Sequence, residues 1–167
     1  MKLLKLTVLS SLLFSLLLTT VSCEREAEKK IVNVYTKSDI IMTGAQAVPQ
    51  SASTGSGTLS VYYDKRTHML NYTVKWFGLS ANPTSIGIYG PAPAGYMAFT
   101  PTLSPAPAIA TITGLQAATT GTYTGSIFVD NITIKEQSLL NYWYYVRVNT
   151  NGTTYPGGEI RGQIKFQ

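Results

Sequence analysis

The sequence has little of what most catalytic sites are made from. It has one histidine, His68, and one cysteine, Cys23, in 167 residues. A copper or zinc site takes several imidazole or thiolate ligands, and a Ser-His-carboxylate set needs its histidine oriented by neighbours. His68 falls in a predicted turn, so neither chemistry is expected. A lone cysteine also rules out an internal disulfide. Charge is sparse, at 13% of residues. With Lys2 and Lys5 assigned to a leader, eleven Lys or Arg stand against eight Asp or Glu, and no basic run exceeds a pair (Lys29-Lys30, Lys65-Arg66). Nucleic-acid binders concentrate basic charge on a face or stripe; this chain does not, and no nucleic-acid partner is expected. An acid/base carboxylate pair would have to come from Asp64, Asp130, Glu136 and Glu159. The first two sit at predicted turns and Glu136 fits a helix start. The expectation is a non-enzymatic chain with no catalytic residues, no metal and no cofactor.

What is present begins with a leader. Lys2 and Lys5 precede an apolar run over residues 6–21, broken only by Ser and Thr, and Cys23 follows at once. The composition then flips to EREAEKK over 24–30. Residues 1–22 read as a signal peptide. The run is slightly short for an uncleaved span of ~20 residues. Residues 18–23 (LTTVSC) resemble a bacterial lipoprotein signal, with Thr20 where that signal usually has Leu. The resemblance implies that Cys23 is the lipid attachment site, carrying acyl chains such as palmitate, after cleavage before it. Each buried methylene adds ~0.8 kcal/mol of membrane affinity, so several chains anchor firmly. Residues 23–33 then form a charged tether. Glu24 is not the Asp associated with inner-membrane retention, which implies the outer membrane.

Residues 34–167 read as one β domain. Short strands are expected at 31–35 and 39–43, then at 58–63, 69–77, 84–90, 109–113, 121–129 and 142–150, with a last strand at the C-terminus. Residues 69–77 alternate strictly: Leu70, Tyr72, Val74 and Trp76 on one face, Asn71, Thr73 and Lys75 on the other. The polar turn at 64–67 makes a hairpin of its two flanking runs. TIKE at 133–136 has the pattern of a capping box, opening a short helix to about 140. Prolines at 91, 93, 101, 105 and 107 mark irregular connections. About eight strands and one short helix predict an all-β fold, an antiparallel Greek-key two-sheet sandwich.

The terminal strand alternates as well. Ile160, Gly162, Ile164 and Phe166 point one way; Glu159, Arg161, Gln163 and Lys165 point the other. Glu159, Arg161 and Arg147 are placed to lock the final hairpin, with a cross-strand ion pair among them and Gly157 and Gly158 permitting a tight turn. The chain has eleven tyrosines and two tryptophans. Exposed aromatics stack on sugars or anchor protein partners. Tyr89, Tyr142, Trp143, Tyr145 and Tyr155 form the candidate binding surface, for an envelope protein or a glycan.

Three motifs carry a family resemblance: TGAQAVP at 43–49, GIYGPA at 87–92, and Asn149-Thr150 followed by YPGGEIRGQ at 155–163. Together they resemble the CHRD domain, named for chordin, over about residues 34–167. The resemblance implies an immunoglobulin-like sandwich related to copper/zinc superoxide dismutase. It carries over no catalytic activity. Many members of that family have His where this chain has Gly87, Tyr89 and Asn149, and Glu and Pro where it has Ala47 and Gln50. These observations together imply an exported lipoprotein with a non-catalytic domain for binding, adhesion or envelope scaffolding; a carbohydrate-binding surface lipoprotein is the alternative. Cys23→Ser is expected to move the protein from the membrane fraction to the soluble fraction, and retention in membranes would contradict the anchor.

Overall fold

The structure is a computed structural model and describes residues 32–101, 105–150 and 152–166. The leader, Cys23 and most of the tether lie outside the described residues. Everything below belongs to the compact unit Asn33–Gln167.

Eight strands follow in order: β1 (Val34–Thr43), β2 (Ser56–Asp64), β3 (Met69–Phe77), β4 (Ser85–Tyr89), β5 (Ala110–Ile112), β6 (Gly121–Phe128), β7 (Tyr145–Asn149) and β8 (Ile160–Gln163). One short helix, α1 (Glu136–Leu140), lies between β6 and β7. β3 has the expected bounds, because its alternation is strict: Leu70, Tyr72, Val74 and Trp76 are buried while Asn71 and Lys75 are exposed. The β2–β3 hairpin turns through residues 65–68. There Asp64 accepts hydrogen bonds from the Arg66 backbone N–H (2.9 Å), Nε (3.1 Å) and Nη2 (2.7 Å). The two short strands expected at 31–35 and 39–43 are one strand. β1 keeps its pairing with β2 through a bulge between Lys37 and Ile40, where Asp39 takes a φ of 53°.

The sheet order is β5-β4-β7-β8-β1-β2-β3-β6, antiparallel throughout. The strands therefore form one continuous sheet instead of the expected two. Its halves are joined where Thr43 of β1 pairs with Arg161 of β8. A single hydrophobic cluster draws Leu59, Val74 and Trp76 from one half and Ile88, Val148 and Ile160 from the other. The sheet must curl to bring these together, because apolar side chains from both halves face the same dry interior.

β8 comes close to β2 at Gly57. A Cβ placed on Gly57 would lie 2.4 Å from the Lys75 carbonyl oxygen and 2.9 Å from Ile160 Cδ1. Glycine at this point lets β8 seat Ile160 against the β2–β3 ladder. The helix start also differs from the expected capping box. The N-cap is Lys135, without a side-chain cap. Asp130 Oδ1 instead accepts the N–H groups of Ile132, Thr133 and Ile134, and Asn131 Oδ1 accepts that of Glu136. The Glu136 carboxylate is drawn away to the Tyr63 hydroxyl (2.6 Å) and Lys65 Nζ (3.0 Å). Those two partners offer a stronger, charge-assisted pairing than the Thr133 turn. Gly57→Ala is expected to destabilise the fold by ~1–3 kcal/mol through overpacking; an unchanged urea midpoint would refute this account of the close approach.

Candidate functional site

Four of the residues singled out in the sequence, Tyr89, Tyr145, Arg147 and Arg161, gather on the outer face of β4, β7 and β8. Pairing sets Tyr89 against Tyr145 and Arg147 against Arg161. Side chains alternate along a strand, so these four share the face opposite the core. That face is covered. The described part of the β4–β5 connection, residues 90–101 and 105–109, lies across it and places Ala92 and Ala98 against Tyr89 and Tyr145.

Beneath this cover the four side chains make a stack. The Arg147 guanidinium lies 4.0 Å from the Tyr89 ring centre. Tyr89 stacks on Tyr145 at 5.6 Å and 14°. The Arg161 guanidinium lies 3.6 Å from the Tyr145 ring centre. Two cations thus face the electron-rich surfaces of a tyrosine pair. Arg161 is 2% exposed. Burial pushes its guanidinium down from the ordinary value, and Arg147 pushes the same way against the influence of Tyr145. It donates to the Tyr96 carbonyl (2.7 Å) and to Gln163 Oε1 (2.9 Å). Gln163 in turn donates to the carbonyls of Ala92 (3.0 Å) and Tyr142 (2.6 Å).

Glu159 does not pair with either arginine. No ion pair among the described residues joins Glu159, Arg161 and Arg147. Glu159 is fully buried and accepts hydrogen bonds from Ser53 Oγ (2.5 Å), the Ser80 N–H (2.6 Å), Ser80 Oγ (2.9 Å) and Thr150 Oγ1 (2.5 Å). Burial raises its pKa, but the bonds from Ser53, Thr150 and Ser80 outweigh it and hold the carboxyl below the ordinary value. The buried polar side chains of the terminal run therefore tie down the loops around it: Glu159 holds those at Ser53 and Ser80, while Arg161 and Gln163 both hold the β4–β5 connection. Gly158 turns the chain into that strand with a φ of 86°, and Gly157 is buried against the Val48 carbonyl.

The candidate binding surface divides in two. Tyr89 and Tyr145 are buried; Tyr145 is 1% exposed, and its hydroxyl accepts the Ala98 N–H (3.2 Å). Tyr155 is half-buried in the turn before β8. Tyr142 and Trp143 face solvent, at 39% and 44% exposure. They lie before β7 instead of on it, because Tyr142 takes a φ of 64° at the end of α1. That left-handed conformation is costly for an aromatic residue. It is held by the Tyr142 hydroxyl, which donates to the Phe166 carbonyl (2.7 Å). Tyr142 and Trp143 wall a groove of about 300 Å³, completed by Pro93, Ala94, Asn141 and Lys165.

Gly87, Tyr89 and Asn149, the positions where many CHRD domains have histidine, do converge. The Tyr89 ring lies across Gly87, and its hydroxyl accepts from Arg147 Nη2 (3.0 Å) and Asn149 Nδ2 (3.5 Å). A phenol, a carboxamide and a guanidinium cation do not fit a copper or zinc ion. His68 lies elsewhere, edge-on to Phe128 and 3.7 Å from Glu136.

A family model of the CHRD domain matches residues 39–164. The chain belongs to the CHRD domain family. No curated protein and no solved structure matches it. In this CHRD domain the terminal GGEIRGQ run is the part that fastens the loops. Ser53 and Ser80 are structural partners of that run that the sequence did not single out. The density of small hydroxyl residues at 51–56 was a signal for Ser53. Glu159→Gln is expected to cost ~1–3 kcal/mol by leaving buried donors unmet. Because the folded pKa of Glu159 is lowered, its contribution is complete above the ordinary value of 4.5 and is lost as the pH falls below it. The urea midpoint of the native protein should drop below pH 4.5, and that of the Glu159→Gln variant should drop less. Parallel pH profiles would refute the assignment.

Proposed function

We propose that this chain is an exported lipoprotein, anchored through Cys23 to the outer membrane, whose CHRD domain is a non-catalytic binding module of the cell envelope. The Tyr142–Trp143 groove carries this reading. It places two aromatic faces at the surface beside an amide and an ammonium group, where a partner can reach them. The candidate catalytic carboxylates are engaged in structural work, which supports a non-enzymatic role. Glu159 serves the loops, and Asp130 holds three backbone N–H groups, which lower its pKa to about 2. Asp64 holds Arg66, and Glu136 holds Tyr63 and Lys65. In fold terms, the proposal treats the β5-β4-β7-β8 and β1-β2-β3-β6 halves as the layers of a Greek-key sandwich linked at Thr43.

The groove favours a glycan as the ligand over a flat protein partner. An indole face stacks on the C–H face of a pyranose, and Asn141 and Lys165 can meet its hydroxyls. Trp143→Ala should leave stability within ~0.5 kcal/mol of the parent, as for other surface changes, while removing signal from a glycan array. Capture of an envelope protein that survives Trp143→Ala, with no array signal for either form, would replace the glycan reading with a protein-scaffold one.

A further inference from the structure

A cleft opens where β1 and β8 separate. These strands share the ladder pair Thr43–Arg161. Continuing that antiparallel register would set Ile41 beside Gln163 and Asp39 beside Lys165, but the pairing stops. β8 stays with β7, through Tyr145–Gln163 and the Ile164 N–H bond to the Tyr144 carbonyl (2.8 Å). β1 turns away at its bulge, where the Asp39 N–H donates to Ser60 Oγ (3.2 Å). The space left is a hollow of about 340 Å³ lined by Lys37, Asp39, Ile40, Ile41, Gln46 and Lys165.

Lys165 also lines the Trp143 groove. The two hollows share Lys165 as a lining residue, so they are neighbours, and together they make up a trough. It has an aromatic end, a lysine at its middle and the exposed Ile41 side chain at its far end. Neither Lys37 nor Lys165 has an ion-pair partner among the described residues. Asp39 is the one carboxylate on the lining. The trough therefore carries unneutralised positive charge beside a surface suited to sugar rings.

We propose that the trough binds an acidic glycan, a polysaccharide segment bearing uronate carboxylates. One sugar ring stacks on Trp143. Its carboxylate accepts hydrogen bonds from Lys165, and following sugars run over Ile41 past Lys37. This inference rests on the glycan reading above and adds two requirements: negative charge, and a chain long enough to fill both hollows.

The test uses the full chain in detergent, titrated calorimetrically with hexagalacturonate and with the same hexamer as its neutral methyl ester. The acid should bind and weaken in 0.5 M salt, and the ester should bind markedly less. Lys165→Gln, at an exposed position outside the described hydrogen bonds, should weaken binding of the acid up to about fivefold. Trp143→Ala should weaken it about tenfold. The monosaccharide should bind less tightly than the hexamer. Equal binding of acid and ester, or an unchanged Lys165→Gln affinity, would overturn the acidic-glycan inference and leave the glycan reading standing. Binding of neither form, together with a silent neutral-glycan array, would overturn both.

Discussion

Burial of the polar face of the last strand is the constraint on which the rest of this domain depends. Glu159, Arg161 and Gln163 lie on the face opposite the core, yet a second layer closes over them. Removing a charge from water costs several kcal/mol unless its hydrogen-bonding capacity is met inside. The protein meets it with groups brought in by the surrounding loops. Ser53 and Ser80 come to Glu159, the carbonyls near Tyr96 come to Arg161, and Ala92 and Tyr142 come to Gln163. An alternating strand thereby organises segments with no regular structure of their own. The stacked Arg147–Tyr89–Tyr145–Arg161 column completes the layer, with no carboxylate partner for either cation among the described residues.

The same network positions the surface that faces outward. Gln163 holds the Tyr142 carbonyl, the Tyr142 hydroxyl holds the Phe166 carbonyl, and the Ala92 N–H holds the Trp143 carbonyl (2.7 Å). The exposed aromatic pair is fixed by three bonds to strand-bound or loop-bound groups. A rigid aromatic wall loses little conformational entropy when a ligand arrives, which favours binding by a small patch. Neighbouring residues of the last strand therefore differ in what they touch: the buried Gln163 fastens, and the exposed Lys165 two positions on lines the groove.

Much of this was legible in the residues. The alternation of β3 and the terminal run, the hairpin at 64–67 and the family motifs pointed to an antiparallel β domain of this family. Two things were hidden for physical reasons. Period-two patterning tells which side chains share a face but not whether a loop covers that face. Tyr145 and Arg161 therefore read as surface residues until the β4–β5 connection was seen above them. The pattern also cannot tell a pair of sheets from one curled sheet, because both bury the same alternate residues; the Thr43–Arg161 pairing links the two halves into one sheet. The TIKE run misled because Glu136 found better partners in Tyr63 and Lys65, which are distant in sequence.

The meeting of β1 with β8 has a consequence for the time course of folding. The first and last strands of the domain are neighbours, and Glu159 bonds Ser53 across 106 positions of chain. Closing so long a loop carries an entropic cost before any contact repays it, and domains dominated by distant contacts fold in milliseconds to seconds. A chain emerging N-terminus first presents the β1–β2–β3 meander early. Its second layer cannot form until residues 159–163 have emerged. The second layer of this domain thus depends on its last strand, whose side chains at 159–163 hold loops made long before it.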